Sequence, residues 1–253
     1  MASLQYVLGR RGIISLRRTA VIVGALFIIA TVATIVSMVL VESLLESPDD
    51  SGFFVGISSD QDKIIAGALL LLVNTVAVVL IPVLMFPILK KHSESLALGY
   101  FAFRLLEAFA LIAIVVGWLL LISLSKEYVA AQTPNFANYQ ASGTVLQDAG
   151  TWSNYLVSIF LCVGGLIFYY LLFVSRLVPR FLSIWGLVGD VLLLGGTVLF
   201  MFESIAEDSA AGILSTLVIA SNEIVLAVWL IVKGFNPSAI EPPPAKTDVP
   251  AAN

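Results

Sequence analysis

Phe103-Arg104-Leu105-Leu106-Glu107-Ala108-Phe109 sets an arginine and a glutamate three residues apart inside a run, Leu96 to Leu124, that is otherwise apolar. A run of that length and character is long enough to cross a bilayer, which takes about 20 residues of helix. An ionised side chain at mid-span costs roughly 2.5–3.5 kcal/mol on insertion scales. The two charges therefore need partners, and residues three apart on a helix share a face.

The whole chain has the same character. Of 253 residues, 59% are hydrophobic and 12% charged, and the mean hydropathy is +1.02. A soluble domain carries roughly 25% charged residues, so this composition cannot cover a water-facing surface. The fold class it implies is all-α, a polytopic membrane protein with six transmembrane helices in one bundle. The spans read as about 21–41, 64–89, 97–124, 152–173, 181–201 and 213–232. Before them lies a basic N-terminus, 1–18, and after them a proline-bearing tail, 235–253, too polar to pack and expected to be disordered. The segment from Glu42 to Lys63 reads as an acidic loop. Lys126 to Thr151 reads as the longest connection, with room for a short surface helix near Asn138–Gln147.

Six spans put both termini on one side, and the basic residues choose it. Arg10, Arg11, Arg17, Arg18, Lys90, Lys91, Arg176, Arg180, Lys233 and Lys246 fall on the terminal side; only Lys63 and Lys126 fall on the other. The termini are therefore expected in the cytoplasm, and the protein in the cytoplasmic (inner) membrane. Trp185, Trp229 and Tyr100 read as an inner aromatic belt, and Trp152 and Tyr155 as an outer one.

Four ionisable groups sit within spans: Arg104, Glu107, Asp190 and Glu223. Asn74 and Asn222 add amides. At about 1.5 Å of rise per residue, Arg104, Glu107, Asp190 and Glu223 all lie about 12–16 Å from the cytoplasmic ends of their helices. Isolated groups would not share one depth, so they are expected to meet in the bundle interior. Three carboxyls beside one guanidinium carry two excess negative charges when all are ionised, which a low-dielectric interior disfavours, so one carboxyl or more is expected to hold a proton. The same set can be read as a substrate or proton pathway, or as structural glue between helices.

Other chemistries lack their residues. Cys162, the one cysteine, lies in an apolar run and reads as a small buried side chain. His92, the one histidine, sits beside Lys90 and Lys91, so no multi-histidine metal or haem site is available. There is no glycine-rich phosphate loop, and no lysine lies mid-span to hold retinal. No enzyme, cofactor, metal site or nucleic-acid contact is expected. The partners left open are the bilayer, a small-molecule or ion ligand, and a second copy or another membrane protein.

Three stretches together carry a resemblance. They are Phe103-Arg104-Leu105-Leu106-Glu107-Ala108, then Tyr169-Tyr170 through Ser175-Arg176-Leu177-Val178-Pro179-Arg180 to Trp185-Gly186-Leu187-Val188-Gly189, and Asn222-Glu223 through Trp229 to Lys233-Gly234. From about Val21 to Gly234 the chain resembles the prokaryotic membrane family called domain of unknown function 4386. The resemblance implies a multi-helix bacterial or archaeal membrane protein without an assigned activity. It supports Arg104, Glu107 and Glu223 as recurrent features and says nothing of Asp190.

Overall fold

The computed structural model describes residues 2–45, 51–131 and 135–239, with side chains described from residue 16 onward in the first segment and from residue 52 in the second. Among them are seven α-helices: α1 (Ala2–Val41), α2 (Ser51–Ser59), α3 (Gln61–Leu89), α4 (Glu94–Ala130), α5 (Phe136–Ser175), α6 (Arg180–Met201) and α7 (Ala210–Val232). All but α2 are long and apolar enough to cross a membrane. The six-span, all-α expectation is met.

The long helices form a ring. Each packs against its neighbours in the order α1, α3, α4, α5, α6, α7, and α7 closes on α1. In that ring α4 stands opposite α7, and α1 opposite α5. We call the end where α1 begins and α7 ends the basic face, and the other the acidic face.

Local chemistry sets the helix ends. Ser93 caps α4 by accepting from the Leu96 N–H at 3.4 Å, and Ser209 caps α7 by accepting from Gly212 at 3.2 Å. Gly234 ends α7 with φ +77°, where a side chain would be strained. Its neighbour Arg17, on α1, donates to the carbonyls of Leu230 (3.1 Å), Ile231 (2.6 Å) and Val232 (3.2 Å). These acceptors have no partner within the helix, and they form its negative end. Arg17, one of the basic residues that gather on the terminal side in sequence, is thus also the clasp between first and last spans. Pro82 and Pro87 are accommodated within a continuous α3.

Several elements differ from expectation. α5 starts at Phe136, so the connection read as 126–151 shrinks to the residues between Ala130 and Phe136. The apolar run marks the part of a helix that lies in lipid, not the helix itself; α4 and α5, at 37 and 40 residues, outrun the bilayer. The acidic loop contains α2, whose Phe54 and Ile57 are fully buried. Phe54 packs at 5.0 Å, ring to ring, on Tyr128, and near Phe136 and Tyr139. Three aromatic residues on α4 and α5 thereby give an otherwise acidic segment something apolar to fold against. The tail begins later than expected: Phe235 is buried, and the Asn236 N–H donates to the Leu177 carbonyl at 2.9 Å. Residues 240–253, which make up the rest of the segment expected to be disordered, lie outside the described residues.

The main apolar core occupies the half of the ring toward the basic face, built on Phe27, Met85, Tyr100, Phe168, Leu172 and Leu226. Antiparallel α5 and α6 interlock there through reciprocal pairs. Tyr169 of α5 lies over Gly186 of α6, and Asp190 of α6 lies over Gly165 of α5. A Cβ on either glycine would overlap the facing side chain. Gly186→Ala is expected to lower stability by about 1–3 kcal/mol, the usual penalty for overpacking. Thermal unfolding in detergent micelles reads this, and an unchanged melting temperature would contradict the interlock.

Candidate functional site

The site is built on α4, where Arg104 and Glu107 turn inward, 4% and 2% exposed. One guanidinium nitrogen, Nη1, donates to both carboxylate oxygens of Glu107, at 3.2 and 3.0 Å. The other, Nη2, faces Glu223 Oε1 of α7 at 4.0 Å. Since α4 and α7 are opposite members of the ring, this ion pair crosses the interior. Two long side chains are needed to span it, which accounts for Arg and Glu rather than shorter residues.

Asp190 completes the layer from α6. It is 0% exposed, backed by Gly165, and neither of its oxygens has a protein hydrogen-bond partner. It lies within electrostatic reach of Glu223, Arg104 and Glu107 but forms no ion pair with Arg104. The four ionisable residues expected to meet therefore do share one region, with Arg104 joined directly to Glu107 and Glu223, and Asp190 adjacent but unpaired. Among the described residues no three acidic, histidine or cysteine side chains gather as a metal-ligand set.

The two amides take different places. Asn222 is fully buried and donates to the Leu182 carbonyl at 3.0 Å, tying α7 to α6. Its Oδ1 is left without a partner. Asn74 is buried on α3 but hydrogen bonds none of the four ionisable groups. One turn to either side, Leu71 and Val78 join an apolar cluster with Leu111, Ile114 and Val115. Asn74 faces the interior, but no hydrogen bond or ion pair joins it to the four ionisable groups among the described residues.

The sequence reading missed Tyr100 as a site residue. Placed there in an interfacial belt, it is instead fully buried. Its ring stacks on Phe168 at 4.8 Å and lies 5.6 Å from the Arg104 guanidinium carbon. Phe168 in turn meets Phe27 of α1, at 6.3 Å, across the ring. These aromatics form a floor beneath the charges on the basic-face side. The signal was present in the spacing: Tyr100 is one turn from Arg104, on the same face. Gly165 was likewise missed, although it allows the close approach at Asp190.

The layer is not evenly buried. Glu223 is 21% exposed at its side chain, against 5% and 3% for Arg104 and Glu107. No residue of α5 from Thr151 to Leu161 is buried, whereas a packed helix shows a buried position every three or four residues. Asn154, Ser158, Cys162 and Gly165 follow one another on a single face of that helix and lead to Asp190.

The architecture and this layer define a multi-pass membrane protein with an ionic cluster buried in a ring of helices. The chain belongs to the family described as Domain of unknown function (DUF4386), which matches residues 22–234. That span takes in α2 to α7 and the second half of α1, with every member of the cluster. Neither a curated protein nor a solved structure matches the chain.

Removing Arg104 alone would strand two carboxyls around it. Arg104→Ala is expected to destabilise the protein by about 3–5 kcal/mol, and Arg104→Met with Glu107→Met to recover much of that loss, because the pair then leaves together. Melting temperatures of the two variants test this, and equal losses in both would contradict it.

Proposed function

We propose that this is a protein of the cytoplasmic membrane of a bacterium or archaeon, with its basic face in the cytoplasm, that binds and moves protons, or a small polar solute or ion linked to them, at the Arg104 layer. The carrying observation is a set of buried acceptor oxygens around that layer with no protein hydrogen bond, both Asp190 oxygens and Asn222 Oδ1, beside Tyr100 Oη, which lies against Arg104. Native interiors leave few such atoms, and each calls for an explanation. Here acceptors are left over, which suits a ligand that donates hydrogen bonds, or a chain of waters carrying a proton. Arg104, Glu107, Asp190 and Glu223 would hold the charge, with Asn222 at the edge and Asn74 outside. Glu223, the most exposed of the four, would exchange with the acidic-face side, and the aromatic floor would close the other.

The alternative is a membrane sensor, lipid-binding protein or accessory subunit in which the cluster is structural. The closed Arg104–Glu107 pair within one helix favours that reading. Proton flux into liposomes holding an entrapped pH-sensitive dye separates the two. The wild type is expected to dissipate an imposed pH gradient faster than protein-free liposomes. Glu223→Gln and Asp190→Asn are expected to return flux to background while keeping the wild-type melting temperature. Undiminished flux in Glu223→Gln would overturn the proposal. A lowered melting temperature with no flux in any variant or in the wild type would favour the structural alternative.

A further inference from the structure

A second polar site lies on the basic face, away from the cluster. The turn between α5 and α6 and the end of α7 line an open surface groove of about 470 Å³, whose lining includes Arg176, Arg180, Lys233, Trp229 and Asn236. No acidic residue lines it. None of the three cations forms an ion pair among the described residues, where the ion pairs are those of Lys63 and Arg104. Arg180 is steadied by the Phe173 ring, 5.0 Å from its guanidinium carbon. Arg176 is held by its backbone, which adopts the left-handed conformation (φ 56°) that ends α5.

Two features of the helix ends make the groove more attractive to an anion. α6 begins here at Arg180, with Pro179 at its N-cap and no side chain capping its first turn, so N–H groups of that turn remain available to an acceptor. The carbonyls at the end of α7 would repel an anion, but Arg17 occupies those of Leu230, Ile231 and Val232 from the α1 side.

The surroundings say what kind of anion. Val174, Phe181 and Val232 stand next in sequence to the cationic lining residues or two positions away, and are 54%, 57% and 62% exposed. In a membrane-spanning ring such residues face acyl chains. Trp229 is suited to the level where headgroups meet hydrocarbon. We propose that the groove binds the phosphate of an anionic phospholipid, with Arg176, Arg180 and Lys233 around the headgroup and the acyl chains lying along the exposed apolar residues of α5, α6 and α7. Basic pockets between membrane helices are suited to such headgroups, and arginine gives a phosphate two parallel donors.

Trp229 supplies a local reporter. The full chain in mixed micelles is titrated with brominated phosphatidylglycerol and, separately, with brominated phosphatidylcholine, and tryptophan quenching is followed. The component lost in Trp229→Phe reports this site. That component is expected to favour phosphatidylglycerol by about tenfold, the scale of a few cations near an anionic headgroup. The preference is expected to fall toward unity in the Arg176→Gln/Arg180→Gln/Lys233→Gln variant. Should the triple variant fail to fold, Arg180→Gln and Lys233→Gln singly are each expected to lower the preference, and Arg180→Lys to keep most of it. Equal quenching by the two lipids in the wild type, or a preference unchanged by the substitutions, would overturn the proposal. Inorganic phosphate distinguishes a soluble anion from a lipid. Phosphate that abolishes the phosphatidylglycerol preference at constant ionic strength, where chloride does not, would assign the site to free phosphate and overturn the lipid reading. Insensitivity to phosphate supports it.

Discussion

The constraint on which the ring depends is the cost of burying a guanidinium inside a ring of apolar helices. Arg104 is neutralised twice, by Glu107 on its own helix and by Glu223 on the helix facing it. The first contact needs local geometry alone, since three residues along a helix restore the same face. The second needs the ring to be closed, because it fixes the distance between α4 and α7. A buried ion pair adds little net stability once desolvation is counted. What Glu223 adds is a choice of arrangement, since packings that move α7 away leave Arg104 with one counter-charge instead of two.

The two halves of the ring solve different problems. Toward the basic face, aromatic and aliphatic side chains fill the interior, and glycines let α5 and α6 come close enough for Tyr169 and Asp190 to seat. Toward the acidic face the buried residues separate into smaller groups, between α3 and α4 and around α2. The charged layer lies where one regime gives way to the other. Its members meet aromatic side chains on one side and, at Glu223, are partly exposed.

Much of this can be read from the residues. The spans follow from apolar length, and the shared depth of Arg104, Glu107, Asp190 and Glu223 follows from counting residues to the helix ends. Depth is one coordinate, however, and a site needs rotation about the helix as well. Tyr100 shows the difference: placed at the interface by depth, it turns inward one turn from Arg104 and forms part of the floor. Hydropathy also says nothing about a helix once it leaves the lipid, which is why the extensions of α4 and α5 and the whole of α2 escape it. The role of Gly165 depends on a neighbour 25 positions further along the chain, and pairing of that kind is not written in either segment alone.

The pairing of Arg104 with its own helix bears on how the protein is made. A ribosome delivers α4 to the bilayer well before α7 exists, and during that interval Glu223 is not there to help. Glu107 travels with Arg104, so the segment can enter lipid as a nearly neutral unit and wait. Arg17 faces the same delay from the other end, because the carbonyls it clasps belong to the last span to be synthesised. Closure of the ring is thus a late event of biogenesis, and a nascent chain stopped before α7 would be a stack of helices with an open seam.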